Sequence, residues 1–165
     1  MKKMILTWVL ALIGFVGATA QVNNQADDRL ALKNLVDTFS VLADFKDTQT
    51  QQMLFTEDAE MISFANGKMT SDLKGRKNIG DACANYLSLF DTVYHLNGQQ
   101  TVNINGDHAT GISYCFVTLI GMNNGKRMKN QSGVRYRDEY VKINGRWFIK
   151  KRMSDFMWTT SEEMK

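Results

Sequence analysis

Two histidines occur in this 165-residue sequence, His95 and His108, and the first stands where acid–base chemistry is useful. An imidazole titrates near neutral pH, so it both takes and gives a proton. His95 opens the run His95-Leu96-Asn97-Gly98-Gln99-Gln100. The run reads as a strand whose glycine marks a bulge or bend. A bent sheet encloses a pocket, and His95 lies beside the bend. His108 follows Asn105-Gly106-Asp107 at a turn and reads as solvated. A carboxylate within reach of His95 would orient its ring and fix its tautomer, and Asp44, near the end of the first helix, is the candidate. Helix geometry sets Asp44 about 140° from Phe39, at ~100° per residue, so the helix must end or turn before Asp44 for that side chain to face the pocket. The two histidines and two cysteines are far apart in sequence, which argues against a zinc site, and no cofactor motif is read. Cys83, on a helix, and Cys115, on a strand, fit as small buried apolar groups. Export would permit a bridge between them.

The elements that position these residues follow from periodicity and turn chemistry. Asp27 or Asp28 caps a first helix after a polar leader, Val22 to Ala26, and Leu32, Leu35, Val36, Phe39, Leu42 and Ala43 form its apolar stripe. A short second helix carries Met53, Leu54 and Phe55. Strands follow at Ala59 to Phe64 and Met69 to Leu73, then a third helix after Gly75 bearing Ile79, Ala82, Cys83, Tyr86, Leu87 and Phe90. The remaining strands span a run to Ile104, Ala109 to Ile120, about Ser132 to Ile143, and Arg146 to Phe156. Asn-Gly at residues 66, 105, 124 and 144 marks four hairpins, because a type I′ turn needs φ > 0 at both central residues. The absence of proline agrees with long uninterrupted strands. The result is one α+β domain, with three helices in the N-terminal half packed on a strongly curved, mostly antiparallel sheet of about six strands.

Residues 1–20 read as a signal peptide: Lys2-Lys3, an apolar run from Met4 to Val16, then Ala18-Thr19-Ala20. The apolar run is short of the ~20 residues of a membrane span, so no stable anchor is expected after cleavage. The mature chain, residues 21–165, would be periplasmic or secreted. Losing Lys2 and Lys3 lowers the formal charge from +3 to +1, which gives no charge-based case for nucleic-acid binding.

Several segments together resemble the SnoaL-like family of the nuclear transport factor 2-like superfamily, the cone fold of scytalone dehydratase and ketosteroid isomerase. They are Leu35-Val36-Asp37-Thr38-Phe39 leading to Asp44-Phe45-Lys46-Asp47, Leu54-Phe55-Thr56-Glu57-Asp58-Ala59, Gly75-Arg76-Lys77-Asn78-Ile79 and His95-Leu96-Asn97-Gly98. Asn105-Gly106-Asp107-His108-Ala109, Tyr136-Arg137-Asp138-Glu139-Tyr140 and Asn144-Gly145-Arg146-Trp147 complete the pattern. The resemblance implies an aspartate at Asp44 and a first catalytic histidine at His95. The second histidine of the dehydratases would fall near Tyr114 or Cys115, where this sequence has none, so Tyr114 or a water would stand in.

The aromatic residues Phe39, Phe55, Phe116, Tyr136 and Trp147 are the expected pocket lining. Tyr114 and Phe116 share one strand face, and Cys115, Val117 and Leu119 the other. One face meets the helices and pocket, and the other a second copy, because sheet-to-sheet dimers are common in the resembled superfamily. Lys150-Lys151-Arg152 reads as a solvated strand end, and Arg135, Arg137 and Glu139 as a same-face ion-pair group. Two functions fit: an exported module binding a small apolar ligand in the cone, or a lyase or isomerase-type enzyme. The enzyme would use His95 with Asp44 for proton transfer on a small carbonyl or hydroxyl compound.

Overall fold

The computed structural model describes residues 14–165, with side chains from residue 25 onward. Helix α1 (Gly14–Asp44) leads to α2 (Thr48–Gln51) and a 3-10 turn at Gln52–Leu54. Strands β1 (Phe55–Ala65) and β2 (Lys68–Lys74) precede α3 (Arg76–Leu87). Four long strands then follow: β3 (Thr92–Asn105), β4 (His108–Asn123), β5 (Lys126–Ile143) and β6 (Arg146–Glu163). They form one six-stranded sheet in the order β2-β1-β6-β5-β4-β3, antiparallel except where β1 runs parallel to β6. The molecule is therefore the expected α+β cone, three helices on a curled sheet.

Helix α1 is longer than its caps suggested. It runs through Val22 to Ala26 and past Asp27 and Asp28, none of which is a helix breaker. Asp28 is an anchor instead of a cap: Lys142 Nζ and Trp147 Nε1 donate to its Oδ1 at 2.7 and 2.8 Å, tying the helix to the β5–β6 hairpin. Residues 1–13 of the expected export signal lie outside the described residues. Among the described residues no helix is long and apolar enough to cross a membrane.

Three of the hairpins turn as expected, with φ > 0 at both Asn66 and Gly67, Asn124 and Gly125, and Asn144 and Gly145. The β3–β4 hairpin differs. Asn105 pairs with His108, so the loop is Gly106-Asp107, and only Gly106 has φ > 0. That is the pattern of a type II′ turn, one residue later than the Asn-Gly reading. Strand β1 starts at Phe55, which leaves the second helix without that residue. Strand β5 starts at Lys126 and β6 reaches Glu163, both beyond their expected limits. Their added ends form a polar ribbon that apolar alternation does not reveal. Lys126–Glu163, at 2.7 Å, and Lys129–Glu162 join across it.

Extra residues bend the sheet. Asn97 opposes Cys115 and Gln100 opposes Ser113, which places a bulge at Gly98-Gln99. A second bulge puts Lys150 out of register, since Ile149 opposes Tyr140 and Lys151 opposes Glu139. The apolar stripe of α1 is buried at Leu32, Leu35, Val36, Phe39 and Ala43. It packs against Phe55, Ile79, Tyr140, Trp147 and Ile149 in one cluster, while Ala43 joins a second with Leu87, Val93, Val117 and Tyr136. Both cysteines are free thiols.

Helix α3 reaches the α2 region through a glycine. A Cβ on Gly80 would lie 2.7 Å from Gln52 Oε1 and 2.9 Å from its Cβ. Alanine raises helix propensity by about 1 kcal/mol, but this contact forces the two segments apart. Gly80→Ala is therefore expected to lower the urea midpoint, by a net stability loss of about 1–2 kcal/mol. An unchanged or raised midpoint would show that Gln52 yields freely.

Candidate active site

A polar stripe on α1 faces the inner side of β3, flanking the apolar one. Gln100 Nε2 donates to Leu32 O at 3.4 Å. Asn97 Nδ2 donates to Asp37 Oδ1 at 2.9 Å and to Val36 O at 3.3 Å, and Ser40 Oγ donates to Asn97 Oδ1 at 3.0 Å. One step along the strand, His95 Nδ1 lies 2.7 Å from Asp44 Oδ1. Asp37, Ser40 and Asp44 recur at i, i+3 and i+7, the spacing of one helix face. The helix and strand are thus zipped together, with the His95–Asp44 pair as the last tooth.

The end of α1 explains why Asp44 is in place. Lys46 has φ +56, Lys46 N donates to Ala43 O, and Asp47 N donates to Leu42 O, each at 2.9 Å. This is a Schellman closure that keeps the backbone helical through Asp44. The helix does not end before Asp44, and in keeping with the wheel argument Asp44 does not line the cavity. Asp44 lies on the flank and approaches the imidazole at Nδ1, while Phe39 faces the cavity. Nε2 is the ring nitrogen left free by this bond.

His95 also lines a cavity of about 460 Å³ with Phe39, Leu73, Cys83, Leu87, Val117, Tyr136 and Phe156. The His95 side chain is 8% exposed. Burial pulls its pKa below the ordinary histidine value. Asp44 opposes that shift, and the positive charge of Arg152 adds to it.

Arg152 was read as a solvated strand end, but it is fully buried. The bulge at Lys150 is the reason: it shifts the inward phase of β6 from odd positions (Trp147, Ile149) to even ones (Arg152, Ser154). Asp138 holds the guanidinium in a fork, Nε to Oδ1 at 2.8 Å and Nη2 to Oδ2 at 2.7 Å, and Tyr140 Oη donates to Asp138 Oδ2 at 2.7 Å. The Phe39 and Tyr136 rings flank it, each 4.3 Å from Cζ, and Nη1 has no hydrogen-bond partner among the described residues. The sequence signal for this pair was Asp138 itself, an acid on the inward alternation Val134, Tyr136, Tyr140.

The other expected site residues scatter. Tyr114 is 41% exposed on the outer face of β4, across the sheet from His95. Phe116 shares that face and stacks near Trp158, with ring centroids 6.0 Å apart. Cys115, Val117 and Leu119 take the inner face because their alternation is in phase with the core. Burial pushes the Cys115 and Cys83 thiols up to about 11. Phe55 sits behind Phe39 in the core, and Trp147 is buried against Asp28, so neither lines the cavity at His95. Arg135 and Arg137 both pair with Asp155 of β6, at 3.0 Å, and not with Glu139. Among the described residues there is no cluster of three or more potential metal ligands.

Comparison with known proteins agrees with this architecture. A candidate scytalone dehydratase from Novosphingobium aromaticivorans superposes with a TM-score of 0.74 at 20% identity, covering 87% of this chain and 93% of its own. A hexachlorocyclohexane dehydrochlorinase from Novosphingobium barchaimii gives 0.72 at 16%, covering 84% and 92%. An NTF2-like protein with a cystatin-like fold, from N. aromaticivorans, gives 0.66 at 21%, covering 89% and 92%. No curated protein matches the sequence. The SnoaL-like domain model matches residues 24–153, from α1 to the bulged half of β6, and the chain belongs to the SnoaL-like domain family.

Proposed function

We propose that the chain is an exported acid–base enzyme of the lyase or isomerase type, acting on a small, largely apolar carbonyl or hydroxyl compound. One observation carries this reading: His95 bonds Asp44 through Nδ1 at 2.7 Å while its ring walls an apolar cavity. Asp44 accepts the Nδ1 proton and fixes the tautomer, so Nε2 is the base. Nε2 takes a proton from the carbon next to a carbonyl, or from the carbon next to one bearing a hydroxyl. Asp44 stabilises the imidazolium. The buried charge of Arg152 opposes proton uptake by His95 but favours negative charge developing on substrate oxygen. The imidazolium then returns its proton to another carbon in an isomerisation. In an elimination the C–H electron pair forms the double bond, and the leaving hydroxyl departs as water with that proton. Two structural neighbours bear names of elimination enzymes, a dehydratase and a dehydrochlorinase.

Export rests on Lys2-Lys3, the apolar run and Ala18-Thr19-Ala20. A homodimer through the outer sheet face is supported by the exposure of Ile112, Tyr114 and Trp158 there. A binding role without turnover is the second reading. Its support is Cys115 on the inner face, a protonated thiol beside the place of a second histidine.

Deuterium exchange of the methyl protons of acetophenone in D₂O, followed by NMR, tests the proton-abstraction step. The intact chain should accelerate exchange, and His95→Gln should lower that rate ~10²–10⁴-fold with little change in acetophenone affinity. Tyr114→Phe, on the outer face, should leave it unchanged. Equal rates for the intact chain and His95→Gln would leave only the binding role.

The pH profile follows from the lowered pKa of His95. The neutral ring is the base, so exchange should be full at neutral pH and fall only as pH drops through an apparent pKa below the ordinary ~6.5. The same shift sets stability: the unfolded chain binds the proton more readily, so this contribution declines as pH falls below the unfolded histidine pKa. Asp44 raises the His95 pKa, so Asp44→Asn should lower it further. Ring-proton NMR titration measures it directly, and a rise in Asp44→Asn would contradict the assignment.

A further inference from the structure

The cavity at His95 is open at its far end. A groove of about 630 Å³ shares Tyr86, Val117, Leu119 and Phe156 with it and continues over Phe90, Met122 and Met128. Bare backbone makes one wall possible. A Cβ on Gly121 would lie 2.6 Å from Leu89 O and 3.0 Å from Phe90 Cα, so the α3–β3 connection rests directly on β4. The groove's polar lining is uncharged, Asn123, Asn130, Ser132 and Thr159, and no Asp, Glu, Lys or Arg lines either compartment. Val117, opposite His95, and Gly121 are four residues apart on the inner face of β4, ~13 Å of strand. A single ring at His95 occupies only part of the 460 Å³ compartment and leaves that length of apolar wall bare. Met128, paired with Gly121 at the far end, adapts to chains of differing shape.

We infer that the site takes a carbonyl-headed aromatic compound bearing a long unbranched aliphatic tail, its head at His95 and its tail along Leu119, Phe90 and Met128. The orientation rests on the acid–base reading of His95. The tail itself rests on the continuity of the two compartments and their lack of charge.

Calorimetric titration of the full chain with acetophenone, p-butylacetophenone and p-decylacetophenone tests it. Affinity should rise at least about tenfold from parent to butyl, and again from butyl to decyl. Met128→Asp should abolish most of that gain while leaving acetophenone affinity unchanged. Asn130→Asp, an isosteric change that puts a charge on the same wall beside Leu119, should do the same without perturbing the core. Equal affinities across the series, no binding by any member, or a gain that survives both substitutions would each overturn the tail site. The exchange assay on acetophenone with His95→Gln decides the acid–base reading separately.

Discussion

A guanidinium with no exposure to solvent constrains everything around it. Removing such a charge from water costs several kcal/mol, and only a well-aligned partner offsets that cost. Arg152 meets this requirement with Asp138 in a two-bonded fork, with Tyr140 completing the carboxylate and two rings flanking the cation. The fork joins β5 to β6 beside the Lys150 bulge and holds Tyr136 and Phe39 at fixed distances. Phe39 belongs to α1, so the ion pair also fixes where the helix crosses the sheet. From there the polar zipper along α1 and β3 carries the alignment to Asp44 and His95. Replacing the pair by apolar groups would keep a core, but it would lose the fork that joins β5 to β6.

The division of labour at His95 has the same geometric origin. Phe39 and Asp44 lie on different sides of one helix, so one forms cavity wall and the other stands behind the imidazole. A carboxylate inside the cavity would take up its volume and raise its polarity. From the flank, Asp44 supports the ring without intruding.

The fold was legible in the sequence because its signals are local and repeated. The apolar stripe of α1, the turn pairs and the length of the last four strands each point to the same sheet. His95 and Asp44 were legible as a candidate pair because so few histidines were present. Arg152 was not, since a bulge reverses the phase of every later residue and leaves no mark in composition. Tyr114 was misplaced for a related reason. Both faces of β4 carry apolar side chains, so alternation alone does not say which one meets the helices. The turn at Gly106-Asp107 shows a similar limit, because Asn105 and Gly106 favour one loop while strand pairing selects its neighbour.

The parallel pairing of β1 with β6 has a consequence for the order of assembly. The last strand synthesised sits third in the sheet, between β1 and β5. Until it arrives, the β1–β2 hairpin has no neighbour, and Asp138 has no cation. An incomplete chain therefore lacks both the central ladder and the charge that matches its buried acid. The β1–β6 contacts span just over half the chain length, and such topologies form slowly because loop-closure entropy is lost before the contacts compensate it. A chain of this design completes its sheet only once its C-terminal strand is available.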